Sequence, residues 1–128
     1  MTPDFIASHR ELLVYQKAFE SAMKIFELSQ TFPMAERQLL TEQMLRSSRS
    51  VCANLAEAWQ KRRYKKAFVA KLNEVEAEAA ETQTWLEFAI LCDYLDAETG
   101  QELFHAYSLV LAATGKLIEQ ADGWAVSS

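Results

Sequence analysis

From Tyr64 to Ile90, apolar and small residues recur in alternating steps of four and three: Tyr64, Phe68, Leu72, Val75, Ala79, Thr82, Leu86, then Ala89 or Ile90. A strand would need alternation in steps of two, so this period specifies a long α-helix. Held over more than three heptads, it favours a neighbour packed nearly parallel, at about 20°. A second stripe runs beside it through Glu81, Trp85, Phe88, Cys92 and Leu95. A helix with two apolar faces has more to bury than one small bundle covers, which predicts a homo-oligomer.

The other segments read the same way. A helix over about 9–30 carries Leu12, Tyr15, Phe19, Ala22, Phe26 and Ser29 on one face, with Ser8 and Glu11 forming a capping box. Phe32-Pro33 ends it, because the residue before proline avoids the α region. A second helix over about 35–60 turns Leu40, Met44, Ser48, Val51, Leu55 and Ala58 or Trp59 inward. Ser47 and Ser48 are small enough to let a neighbour approach closely. The long helix then covers about 64–95. A fourth, over about 98–122, is capped by Asp96 or Thr99, buries Leu103, Tyr107, Val110, Thr114, Leu117 and Ala121, and closes at Gly123. Four helices with short links predict a single all-α domain, an antiparallel up-down-up-down four-helix bundle.

Composition agrees. The 128 residues suit one domain, and half are apolar, enough for a core without disulfides or metal. Only 3 Gly and 2 Pro occur, too few for a turn-rich β fold or a Gly-rich phosphate loop. Cys52 and Cys92 are isolated and read as buried free thiols of a cytoplasmic protein. The longest uncharged apolar run, Phe88–Cys92, is far short of the roughly 20 residues that span a membrane.

Residues that could carry chemistry are few. Glu102 and His105 have the Glu-x-x-His spacing of di-iron bundles, but such sites need two such pairs and two more inward Glu residues. Glu74, Glu78 and Glu81 share a helix face with Glu76 nearby, which reads as a solvated acidic face or a partner for basic segments. Asn54 and Glu57 stand where the apolar stripe of the second helix runs, and bridging a neighbouring helix is their expected role. No nucleophile is set beside an acid or base, so the chain is expected to be no enzyme, with no catalytic residue, metal or cofactor.

Charge is segregated along the chain. From Arg37 to Lys71 nine basic residues face two acids, a balance of +7, while Leu72–Gly115 holds nine acids and no Lys or Arg, giving −9. Arg46 and Arg49 lie on the second helix, with Glu42 as an i,i+4 partner for Arg46. Beyond them stands Lys61-Arg62-Arg63-Tyr64-Lys65-Lys66, then Lys71. Cations around an aromatic ring can hold phosphates while the ring stacks on a base. The alternative is a solvated cluster, or one that pairs with the acidic helix of another copy.

The chain also resembles the 23S rRNA intervening-sequence protein family of bacteria. The resemblance rests on Leu13-Val14-Tyr15-Gln16-Lys17-Ala18, Phe32-Pro33, Glu36-Arg37, Gln43, Arg46, Ser50, Asn54-Leu55-Ala56-Glu57, Glu81-Thr82, Leu86, Ala89 and Tyr94-Leu95. It differs in having Ala58 where the family usually has Gly, and Ala77-Glu78 where Gly-Ser is common. The resemblance implies a ring-like homopentamer. It also implies similarity to the accessory proteins of diversity-generating retroelements, which bind nucleic acid and a reverse transcriptase. It implies no catalytic residues. The expected function is thus an oligomeric, non-enzymatic bundle binding RNA or DNA through Arg46, Arg49, Lys61, Arg62, Arg63, Lys65, Lys66 and Lys71. The alternative is an interaction scaffold whose charges serve assembly and partner docking.

Overall fold

Four long helices carry the chain: α1 (Leu13–Ser29), α2 (Glu42–Gln60), α3 (Lys65–Leu91) and α4 (Ala97–Glu119), followed by the single turn α5 (Ala121–Trp124). They come from a computed structural model that describes residues 6–124. Their pairings are antiparallel throughout. Glu57 meets Lys71 and Arg46 meets Glu78 across α2–α3, Gln83 reaches Phe104 and Ser108 across α3–α4, and Arg49 lies over Phe26 across α2–α1. α1 and α4 are also neighbours, which closes the all-α bundle.

The capping box forms as expected: Ser8 Oγ accepts from Arg10 N–H at 3.2 Å, and the Glu11 carboxylate accepts from Ser8 N–H at 2.9 Å. It caps a 3₁₀ turn over His9–Glu11, however, and Leu12 is extended (φ −72°, ψ 126°) before α1 begins. The core face of α1 is Val14, Ala18, Ser21, Ala22, Ile25 and Ser29. Of the expected stripe, Leu12, Ala22 and Ser29 are buried, whereas Tyr15 is half-buried and Phe19 and Phe26 remain 49% and 39% exposed. The small side chains let α1 approach its neighbours, and the bulky rings are rotated to the flank.

After Phe32-Pro33 a 3₁₀ turn (Met34–Glu36) and a π-helical turn (Arg37–Thr41) lead into α2. Phe32 packs on Tyr94 with ring centroids 5.7 Å apart, and Tyr94 Oη donates to Glu36 at 2.8 Å. The whole expected stripe of α2 is buried. Ser47 and Ser48 are fully enclosed, and Thr82 Oγ1 of α3 donates to Ser47 Oγ at 2.8 Å. Close approach of α2 and α3 therefore rests on small hydroxyl residues that satisfy one another.

The seam of α3 is buried from Phe68 to Ala89, but it does not include Tyr64. That residue is the extended N-cap of α3 and stays exposed. α3 also ends at Leu91 rather than near residue 95. Asp93 sits at φ 62°, Tyr94 N–H bonds to Ala89 O at 2.8 Å, and Asp93 N–H bonds to Ile90 O at 3.0 Å, a Schellman stop with Asp in the left-handed position. Asp96 then caps α4 by accepting from Thr99 N–H at 2.7 Å. α4 buries Leu103, Tyr107, Val110 and Thr114 as expected, with Leu117 half-buried; it ends at Glu119, Ala121 is buried in α5, and Gly123 lies inside α5 instead of terminating α4.

Cys52 is buried and its thiol is pushed up to about 11 by that burial, but Cys92 is exposed. The Schellman turn lifts Cys92 off the core. Glu102 and His105 are both exposed, so the Glu-x-x-His pair faces away from the bundle interior. Among the described residues no three His, Cys, Asp or Glu side chains gather as a metal site, and no helix is long and apolar enough to cross a membrane.

Candidate nucleic-acid interface

The chain leaves α2 through a tight turn. Lys61 N–H bonds to Glu57 O and Ala58 O, Arg62 N–H to Trp59 O, and Tyr64 N–H to Lys61 O. No glycine or proline is needed. Five cations of the Lys61–Lys66 run thereby project from one end of the bundle, on the connection between α2 and α3.

Their individual situations differ. The Arg62 guanidinium lies 4.0 Å over the buried Trp59 ring and donates to Trp59 O at 2.9 Å, so its direction is fixed. Lys65 Nζ pairs with Asp122 at 2.9 Å, tying the turn to α5. Lys61, Arg63 and Lys66 are exposed, and among the described residues none of them forms an ion pair. Tyr64 stands between these cations with 60% of its surface open, and its side chain makes no cap to α3.

The remaining sequence candidates are placed elsewhere. Lys71 bonds to Glu57 at 2.8 Å, and that contact holds the Glu57 carboxyl below the usual carboxylate range. Glu57 thus bridges α2 to α3, whereas Asn54 bonds within its own helix, donating to Ser50 O at 2.9 Å. Arg46 lies about 22 Å along the helix axis from Lys61 at 1.5 Å per residue. Its partner is not Glu42. Arg46 Nη1 meets Glu78 Oε2 at 3.1 Å and Nη2 meets Glu81, so a single guanidinium holds two carboxylates of α3. Hydrogen bonds to Glu78 and then Glu81 raise the already high pKa of Arg46. Ser50 Oγ adds a bond to Glu78 at 3.0 Å, and Trp85 Nε1 donates to Glu81 at 3.0 Å. The two acids expected on a solvated face therefore belong to an α2–α3 clamp. Arg49 rests 5.8 Å over the Phe26 ring.

The structure therefore brings Lys61, Arg62, Arg63, Lys65 and Lys66 into one turn and leaves Arg46, Arg49 and Lys71 on helix flanks. Two features had escaped the sequence: the Arg46 clamp, whose partners lie 32 and 35 residues away, and the Arg62–Trp59 stack. For the stack, an Arg three residues after a Trp at a helix end was the available signal.

A third feature is the exposed apolar surface. Phe19, Met23 and Phe26 form a stripe on α1, while Phe88 and Leu91 stand out from α3 at 54% and 83% exposure. These side chains stay open to water on the flanks of the bundle.

Taken together, these features define an all-α helical bundle with a run of exposed cations on its α2–α3 turn and apolar stripes on its flanks. The chain matches the sequence model of the 23S rRNA-intervening sequence protein family over residues 10–115, and it belongs to that family. It is also similar to a solved structure of a protein of unknown function from the S23 ribosomal protein family of Bacteroides thetaiotaomicron VPI-5482. That similarity has a TM-score of 0.75 and 28% identity, covering 84% of this chain and 99% of the other. No curated protein sequence matches the chain.

Proposed function

We propose that this protein is a non-enzymatic, oligomeric bundle that binds RNA or DNA through its α2–α3 turn. The observation that carries the reading is the exposure of Lys61, Arg63 and Lys66 on one turn, none of which forms an ion pair among the described residues. The chain as a whole has a net charge of −5, so cations left open in one place provide a local attraction for phosphate. Arg62, held by Trp59, adds a pre-oriented guanidinium. Arg46 and Lys71 are spent on intramolecular pairs and drop out of the contact set. Membership of a family named for rRNA insertions agrees with this reading.

Filter binding of structured RNA and of duplex DNA at two salt concentrations tests it. Three or four phosphate contacts predict a slope of log K against log salt of about −2 to −4. Reversal of Lys61, Arg63 and Lys66 to Glu should abolish retention. No retention at low salt, or retention that survives the reversal, rejects the proposal.

The competing reading is an interaction scaffold, and the stripes on α1 and α3 favour self-association in either case. The two part on the basic turn: in a scaffold it serves assembly, so charge reversal changes the mass of the assembly instead of nucleic-acid retention.

A further inference from the structure

Resting on that reading of the basic turn, we infer that its ligand is an unpaired, single-stranded stretch of nucleic acid, with a base stacked on Tyr64. The argument begins with the backbone. Tyr64 has φ −114° and ψ 104°, an extended residue inserted between the turn after α2 and the first residue of α3. Had the helix begun at Tyr64, as the heptad spacing suggests, the ring would lie in the seam with Phe68 and Leu72. The extended geometry takes it out of the core and leaves it 60% open. A large aromatic ring open to water, with the exposed Arg63 and Lys66 one and two residues away in sequence, offers a stacking surface within a basic run.

The chemistry of the two possible partners then separates them. A duplex offers phosphates but keeps its base faces stacked inside, so the ring gains nothing from it. A single strand offers phosphates and free π-faces together, and base–aromatic stacking tolerates any sequence. The size of the patch points the same way. Its cations are confined to the six residues Lys61–Lys66, enough for a few consecutive phosphates but not for the spread of contacts by which proteins grip a double helix. Trp59 is 2% exposed and covered by Arg62, so Tyr64 is the ring of this turn that is available to a base.

Fluorescence anisotropy on the whole protein at low salt provides the test. Three probes of equal length are compared: an unstructured single strand, its duplex, and the same strand with abasic sites. Tyr64→Ala and Tyr64→Phe are measured beside the unaltered protein, with circular dichroism to confirm folding. The single strand should bind about tenfold more tightly than the duplex or the abasic strand. Tyr64→Ala should remove that preference, and Tyr64→Phe should keep it, because the ring and not the hydroxyl stacks. Equal binding of all three probes, unaffected by Tyr64→Ala, overturns the single-strand inference while leaving a phosphate-binding turn in place. Binding of none overturns both.

Discussion

Arg46 on α2 and Glu78 on α3 meet at 3.1 Å, with the Glu78 side chain only 17% exposed and a second carboxylate, Glu81, on the same guanidinium. This pair ties the two helices together beside the buried Ser47–Thr82 hydrogen bond, a contact that would hold their axial register. A half-exposed bridge with several hydrogen bonds belongs at the upper end of the range for surface pairs, about 0.2–1 kcal/mol. A double-mutant cycle of Arg46→Met and Glu78→Met, read by urea unfolding, should give a coupling energy of about 1 kcal/mol. A coupling near zero would mean that the register is set by packing alone.

The same clamp makes a pH prediction. Burial pushes the Glu81 carboxyl up, but hydrogen bonds from Arg46 and Trp85 outweigh it, and the net shift is downward. A carboxyl held low contributes stability above its unfolded pKa, near 4.3, and loses it as pH falls through the folded value. Thermal unfolding should therefore show a drop in Tm on acidification below about pH 4.3, smaller in Arg46→Gln than in the unaltered protein. Identical pH profiles in the two proteins would contradict this account of Glu81.

The proposed self-association should depend on the two exposed stripes. Phe19 and Phe88 contribute little to the monomer core, so replacing either by Glu should leave the Tm of the isolated bundle almost unchanged. Each replacement should weaken assembly about tenfold or more in light scattering, because a charge cannot be buried unpaired in an apolar contact. If both variants retain the parent mass, the stripes are not the assembly surface.

How much of this was legible follows from how the signals arise. The seams of α2, α3 and α4 were readable because each repeats apolar and small residues at helical spacing along one face, which in α3 is held over more than three heptads and stands out from the shorter stripe beside it. α1 has two such arcs, and the rings of Tyr15, Phe19 and Phe26 outweighed Ala18 and Ser21 in the pattern although the small residues face the core. Tyr64 fitted the heptad yet lies outside it, because the spacing carries no information about where the backbone becomes extended. Asp93 gave no warning of a left-handed stop, a role more often filled by Gly. Of the candidate site, the basic run was plain in the sequence. The loss of Arg46 to Glu78 and Glu81 was not, since a contact between helices 32 residues apart leaves no local trace.

The two cysteines should separate in labelling. Cys52 is buried with its thiol pushed up to about 11, whereas Cys92 is exposed. At pH 8 a thiol near 11 is only about 0.1% thiolate, so a disulfide reagent should modify Cys92 at least about 100-fold faster. Cys52 should react in step with global unfolding. Equal rates in the native protein would show that α2 and α4 open locally around Cys52.

Two glycines of α4 should respond to alanine with opposite signs. In each, alanine gains about 1 kcal/mol of helix propensity. At Gly115 a new Cβ meets nothing within 4 Å, so Gly115→Ala should keep that gain and raise Tm by a few degrees. At Gly100 the new carbon would collide with Cγ1 of Ile90 and stand 2.6 Å from its Cδ1. Ile90 is β-branched and stiff at χ1, so it cannot swing clear without disturbing the α3–α4 contact. Overpacking of this kind costs about 1–3 kcal/mol, which exceeds the propensity gain. Gly100→Ala should therefore lower stability by about 1 kcal/mol, and adding Ile90→Ala should recover part of it by making room. A Gly100→Ala protein as stable as the parent would show that α3 and α4 are less closely apposed at this point than a collision with Ile90 requires.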